Sequence, residues 1–401
     1  MSTALRIHQA LPPALLWVAT VLLAACGGGG GMGSAATSMG ARVASPGSMN
    51  GGSMDTSCMS MGGMSGTMSC PAPSIALMAP AGTVSRTVML RAHVTVMDGD
   101  VVSRVDFMVD GTRIGSASGQ PFNVSWDSTA VSDGPHALTA TVSDGVGQSS
   151  SASPVAIQVD NHPAFTVTLS PAQVIPTPAS AASGSAHLSA NLASGALTGS
   201  IVLTGVTAIA VTLNAAFAGD RGAVLLALKP GASPSEWDVP AGALLTEEQT
   251  TALLEGGLYV IASSSANPRG ELRGQIAPAN IEVVFSAMGG TQEVPPVTIN
   301  AAGSTATTVD SVAGTVTVHV HATGLDDAMA GEVAEGARGA TGARLAALTK
   351  DDLDPGHWSA QLVAVSAADM AAFEASHWYT NLLTPADPQG AIRGQIEPGA
   401  H

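Results

Sequence analysis

The chain predicts an all-β protein, with β-sandwich-like domains set behind a low-complexity leader. Three observations predict it. Apolar and polar residues alternate in short runs, as in TVMLRAHVTV at 87–96, the two-residue period of a half-buried strand. Gly (46) and Pro (24) are plentiful, while aromatics are 3% and charged residues 11%, which suits turns between short strands and cores of small β-branched residues. Finally, NPRGELRGQI at 267–276 returns as DPQGAIRGQI at 387–396. One ending written twice, a domain's length apart, means one fold duplicated.

Charge excludes one class of partner at once. The formal net charge is −16 and only 14 Lys and Arg are scattered through 401 residues. A nucleic-acid binder needs clustered cations to displace counterions from phosphate, so no nucleic-acid partner is expected. The same shortage argues against a polybasic grip on anionic lipid.

Residues 1–25 read as a signal peptide. Arg6 marks a short n-region, and the apolar run from about Leu11 to Leu23 is too short for a membrane span. Leu23-Ala24-Ala25-Cys26 resembles a bacterial lipobox. That resemblance implies cleavage before Cys26, lipidation of Cys26, and a membrane partner reached through acyl chains worth about 0.8 kcal/mol per buried CH₂. Gly27, where Asp would retain the protein at the inner membrane, points by analogy to the outer membrane of the cell envelope. An ordinary secretory signal with an incidental Cys26 is the alternative.

Residues 26–72 carry no apolar period and read as a disordered Met/Gly/Ser-rich tether. About 46 flexible residues span roughly 35–40 Å r.m.s.. Within it lie Met54, Met59, Met61, Met64 and Met68, with Cys58 and Cys70 among them. Thioethers and thiolates are soft ligands that select Cu(I), and the spacing resembles methionine-rich copper-binding segments of secreted proteins. Two other readings stay open: compositional drift in an unconstrained linker with a Cys58–Cys70 disulfide, and an oxidant scavenger working through Met sulfoxide.

Residues 73–160 read as one sandwich. In the strand TVMLRAHVTV, Val88, Leu90, Ala92, Val94 and Val96 share one face, and His93 falls on the other, in solvent. VDFMVDGTRIG places Asp110-Gly111 between two apolar runs, a two-residue hairpin signal. Together with FNVSWDS and DGPHALTATVSDG, these stretches resemble a bacterial immunoglobulin-like module. The resemblance implies that Trp126 is a core residue and that the module is a spacer or adhesive unit.

Residues 163–279 and 281–399 are the two copies. Phe165 and Phe285, Tyr259 and Tyr379, and Arg273 and Arg393 are each 120 apart; Trp237 and Trp358 are 121 apart. Each copy is long enough to bury its own core. LTEEQTTALLEGG and VSAADMAAFEASH are the predicted short helices, with acids near their starts. In the closing turns Pro268 and Pro388 fix φ, and Gly270 and Gly390 relax the bend. Arg273 and Arg393 are expected mid-strand on the polar side, as carbonyl caps or salt bridges, with ligand binding as the alternative. QEVPPV near the start, a central Trp and the NPRGELRGQI ending resemble the chordin-type (CHRD) repeat domain. That resemblance implies an extracellular β-sandwich-like fold without known enzymatic activity. Many bacterial members carry an Ala-His-Ile-His stretch; here the matching places read Val211-Thr212-Leu213-Asn214 and about Gly331-Glu332-Val333-Ala334, so a metal role tied to that stretch is lost.

One histidine pair stands out. In GTVTVHVHATGL, His319 and His321 share a strand face, opposite Val316, Val318 and Val320. The plain reading is a solvated polar face. The sharper one is a site for Cu²⁺ or Zn²⁺, since copper–zinc superoxide dismutases use such a His-x-His. The other histidine motifs of that family are not evident: His357, His377 and His401 stand in the wrong local contexts. Asp351, Asp352 and Asp354 in KDDLDPG read as a solvated turn. No nucleophile elbow, Walker loop, His-Glu-x-x-His or dinucleotide fingerprint occurs. The expectation is therefore a lipid-anchored, non-catalytic binding or structural module of the envelope. Copper handling by the tether, with or without His319 and His321, is the alternative; no other cofactor is expected, and a protein or glycan partner stays unidentified.

Overall fold

The computed structural model describes residues 72–80, 82–96, 101–145 and 147–399. The expectations for the signal peptide, for Cys26, and for Met54, Cys58, Met59, Met61, Met64, Met68 and Cys70 lie outside the described residues. Among the described residues no helix is long and apolar enough to cross a membrane.

The first domain is a two-sheet sandwich. One sheet orders Ser74–Met78, Thr87–Thr95 and Asn123–Asp127. The other orders Thr83–Val84, Val155–Val159, Gly134–Asp144, Val102–Val109 and Thr112–Ala117, with Ser149–Ser151 added on Gly134–Asp144. The alternating residues meet between the sheets, where Val88, Leu90, Phe107, Leu138, Val142 and Trp126 are buried. His93 is exposed, as its strand period requires. Asp110 and Gly111 take φ of 49° and 78°, the left-handed pair of a type I′ turn that matches strand twist.

Each copy of the repeat has its own core. One is built from residues 165–276 around Leu188, Ile201, Leu213, Trp237 and Leu258. The other is built from residues 284–396 around Val318, Val320, Trp358, Phe373 and Trp378. The helices are Glu247–Leu254 and Ala367–Glu374. Both start in a capping box, Thr246 with Gln249 and Ser366 with Asp369, which satisfies orphan amides of the first turn.

The copies differ in how the ladder ends. In the second, eight strands close into a barrel in the order Ile281–Gly289, Ala302–Asp310, Thr315–Thr323, His357–Ala364, Arg344–Lys350, Ala330–Glu335, Trp378–Leu383 and Ile392–Ile396. In the first, the same path splits into a five-stranded and a four-stranded sheet. The break falls between Ala223–Ala227 and Lys229–Pro230. Pro230 stands opposite Trp237 where Lys350 stands opposite Trp358. A proline has no N–H to give the ladder, and Pro230 ends its strand there.

The arginines of the shared ending are buried rather than on a wet polar face. The strands Leu272–Ile276 and Ile392–Ile396 are buried at every position. Arg273 lies 3.6 Å over the Tyr259 ring, and Arg393 lies 3.6 Å over that of Tyr379. Their guanidinium groups donate to loop carbonyls: Arg273 to Asp220 O and Phe217 O, Arg393 to Ala340 O and Ala337 O. Gln275 and Gln395 extend the grip, Gln275 donating to Ala216 O and Gly256 O. The repeated RGQI therefore ties the last strand of each repeat to an earlier loop of the same repeat, at 216–220 or 336–340, and the carbonyl-cap expectation describes it.

Candidate functional site

His319 and His321 project away from the valine core of the barrel, as the strand period requires. The expectation that this face is wet fails, because His319 is only 1% exposed. The first copy covers it. A loop at 216–220 docks on the outer surface of Ala302–Asp310 and Thr315–Thr323. At its tip, Gly219 has φ +87°, and a Cβ there would come within 2.7 Å of the His319 Cβ and 2.9 Å of the Ala306 Cβ. Both the backbone sign and the close approach demand glycine. Nearby, Gly256 packs on Ile281 and Thr308 in the same way.

The docked loop carries Asp220 to the histidines. Ligand atoms of Asp220, His319 and His357 lie within 4.8 Å of one another. His357 comes from the neighbouring strand, where it pairs with His321. His319 Nδ1 is 3.0 Å from His357 Nε2. Two nitrogens bound to one ion at 2.0–2.1 Å, at tetrahedral or square angles, lie about 2.9–3.4 Å apart. The observed spacing fits.

The surroundings prepare the nitrogens to coordinate. His357 Nδ1–H donates to Asp351 Oδ2 at 3.3 Å, which leaves Nε2 with its lone pair toward His319 Nδ1. This is the carboxylate–histidine arrangement that fixes a ligand's tautomer. Asp351 is itself held by the Leu353 amide at 2.8 Å. That hydrogen bond first, and the one from His357 next, keep its carboxyl below the usual range. His319 Nε2 is buried with no partner, a cost of about 1–3 kcal/mol for a polar atom left unpaired. Burial pushes His319 down to about 4, only partly offset by the Asp220 charge, so its imidazole is neutral at physiological pH, the form that ligates.

His321 has a different post. Its Nε2–H donates to Gly219 O at 2.6 Å, and its ring stacks on His357 with centroids 4.5 Å apart. Burial lowers its pKa as well. The structure thus gathers His319, His357 and Asp220 in one place, with His321 holding the loop. Asp351, expected to be a solvated turn acid, supports His357.

Sequence reasoning missed His357 and Asp220. A signal for both was present in the divergence between copies. In the register set by the tryptophans, the first copy has Ser200, Val202 and Glu236 where the second has His319, His321 and His357. Where Arg273 caps Asp220, Arg393 caps Ala340. The group is built from positions that one copy has and the other lacks.

Known proteins share parts of this chain. A bacterial Ig domain family matches residues 73–140. No curated protein matches the chain. Among solved structures, one described as fibronectin(III)-like modules of Clostridium thermocellum CbhA is 26% identical, with a TM-score of 0.18; the match covers 21% of this chain and 93% of that one. Another is the SGBP-B protein of a Bacteroides ovatus mixed-linkage glucan utilization locus, in complex with a mixed-linkage heptasaccharide. It is 12% identical, with a TM-score of 0.18, over 82% of this chain and 70% of that one. The CHRD domain family matches twice, over residues 165–276 and 284–396. With both matches spanning more than half of its length and coinciding with the two cores, the chain belongs to the CHRD domain family.

Proposed function

We propose that the protein is a lipid-anchored component of the cell envelope that acts by binding rather than by catalysis, and that its two CHRD repeats hold a divalent metal ion of the borderline class, copper(II) or zinc. The observation that carries the metal reading is the convergence of Asp220, His319 and His357 within 4.8 Å. Two imidazoles and a carboxylate are a donor set suited to Zn²⁺ or Cu²⁺. The anchor rests on Leu23-Ala24-Ala25-Cys26.

The test is metal analysis of the full chain after titration with Cu²⁺ or Zn²⁺ and gel filtration. One equivalent should be retained and should disappear in the double variant His319→Ala, His357→Ala. Retention in that variant would move the ion elsewhere. A second reading, Cu(I) capture by Met54, Met59, Met61, Met64, Met68, Cys58 and Cys70, is favoured by their clustering in 26–72. Deleting that segment should remove Cu(I) while leaving the divalent equivalent in place. Labelling with a fatty-acid analogue, lost on Cys26→Ser, checks the anchor.

A further inference from the structure

Building on the metal reading above, we propose that the ion is a clamp between the repeats, so that metal occupancy and the docking of the first repeat on the second are one equilibrium.

The ligand set is divided. His319 and His357 sit on adjacent strands of the second barrel and are held whether or not the first repeat is docked. Asp220 belongs to the first repeat, on a loop fixed to its own barrel by Arg273 and Gln275. The two cores are separate, so the repeats can part without either unfolding. Against that, the described link at the site is the hydrogen bond from His321 to Gly219 O, beside glycine contacts that are close but small. An ion that takes nitrogen and carboxylate donors from both sides binds the docked form better than the parted one, and must shift the balance by that difference.

Metal supply thereby regulates the shape of the repeat pair. With the ion bound, the two repeats form one rigid body. Without it, the loop at 216–220 lifts and exposes the face around Ala306, Thr308 and His319. The histidines then remain as a weak two-donor site that catches the ion and draws Asp220 in.

Amide hydrogen exchange on the full chain, with and without Zn²⁺ or Cu²⁺, tests this. Metal should slow exchange at least tenfold in two segments together, 216–222 of the first repeat and 303–308 of the second. In Asp220→Asn the ion should still bind, tenfold or more weakly, and slow exchange should be confined to the histidine strands. Protection confined to those strands in the unmodified chain would overturn the clamp and leave the metal site standing. So would Asp220→Asn binding the ion as tightly as the unmodified chain. No retained metal in the unmodified chain would overturn the site itself. Circular dichroism of Asp220→Asn checks that both barrels remain folded.

Discussion

The carbonyl of Gly219 in the first repeat accepts a hydrogen bond of 2.6 Å from His321 Nε2 in the second. This contact joins the loop that carries Asp220 to the strand that carries His319. Gly219→Ala tests its importance. The new methyl would meet His319 and Ala306 at under 3 Å in a left-handed backbone, and overpacking of this kind costs about 1–3 kcal/mol. The variant should keep both barrels but lose their docking, seen as faster amide exchange at 303–308. His321→Phe should have the same direction and a smaller effect, since the stack on His357 survives.

Asp351→Asn probes the support behind His357. The carboxylate fixes the Nδ1–H tautomer, and loss of such a partner typically weakens metal affinity 10–100-fold. Competition with a chromophoric chelator would measure it. Unchanged affinity would show that His357 is oriented by its strand alone.

Arg273 and Arg393 should be intolerant of lysine. Each lies over a tyrosine ring and gives donors to two or more loop carbonyls; an ammonium cannot copy that planar fork. Lysine at either position should cost about 2–4 kcal/mol through carbonyls left short of donors. In urea, Arg273→Lys should lower the midpoint of the first repeat and Arg393→Lys that of the second, because the cores are separate.

Glu293 gives a pH dependence of defined sign. It is buried in the second repeat where the first has Val174, and Glu293 Oε1 and Asn381 Oδ1 both lack partners. Burial raises its carboxyl to about 7, with Arg393 opposing and Asp387 and Glu332 adding to the rise. A raised carboxyl favours the folded state while protonated. Its contribution is fully present below about 4.5 and is lost as pH climbs through about 7, by at most about 1.4 kcal/mol for each pH step crossed. The second repeat should therefore melt at a lower temperature at pH 8 than at pH 5. Glu293→Gln should flatten that difference, and calorimetry at the two pH values decides it.

Much of this was legible in the chain. The RGQI endings, the paired tryptophans and the Asp110-Gly111 turn each follow from local rules, and the structure keeps them where spacing put them. His319 and His321 were legible as a pair because a strand has a period of two. Their burial was not, because the cover comes from Gly219, about a hundred residues earlier, and nothing in a strand's own pattern encodes a neighbour's loop. The local context of His357 matches no histidine motif, yet its partners are cross-strand and its support is Asp351, six residues before it. Arginine at mid-strand suggested a wet face. The carbonyls that make it tolerable inside belong to residues more than fifty positions away.

The seam between Ala223–Ala227 and Lys229–Pro230 separates the fates of the two repeats under stress. A closed ladder offers no unpaired backbone to a passing chain, whereas a sheet that stops short presents a row of free amides and carbonyls. Among the described repeat strands that exposure falls at Ala223–Ala227, where Val224 is 60% open to solvent. Self-association of this protein, if provoked by heat or crowding, should begin by strand addition there, in the first copy, while the second stays inert.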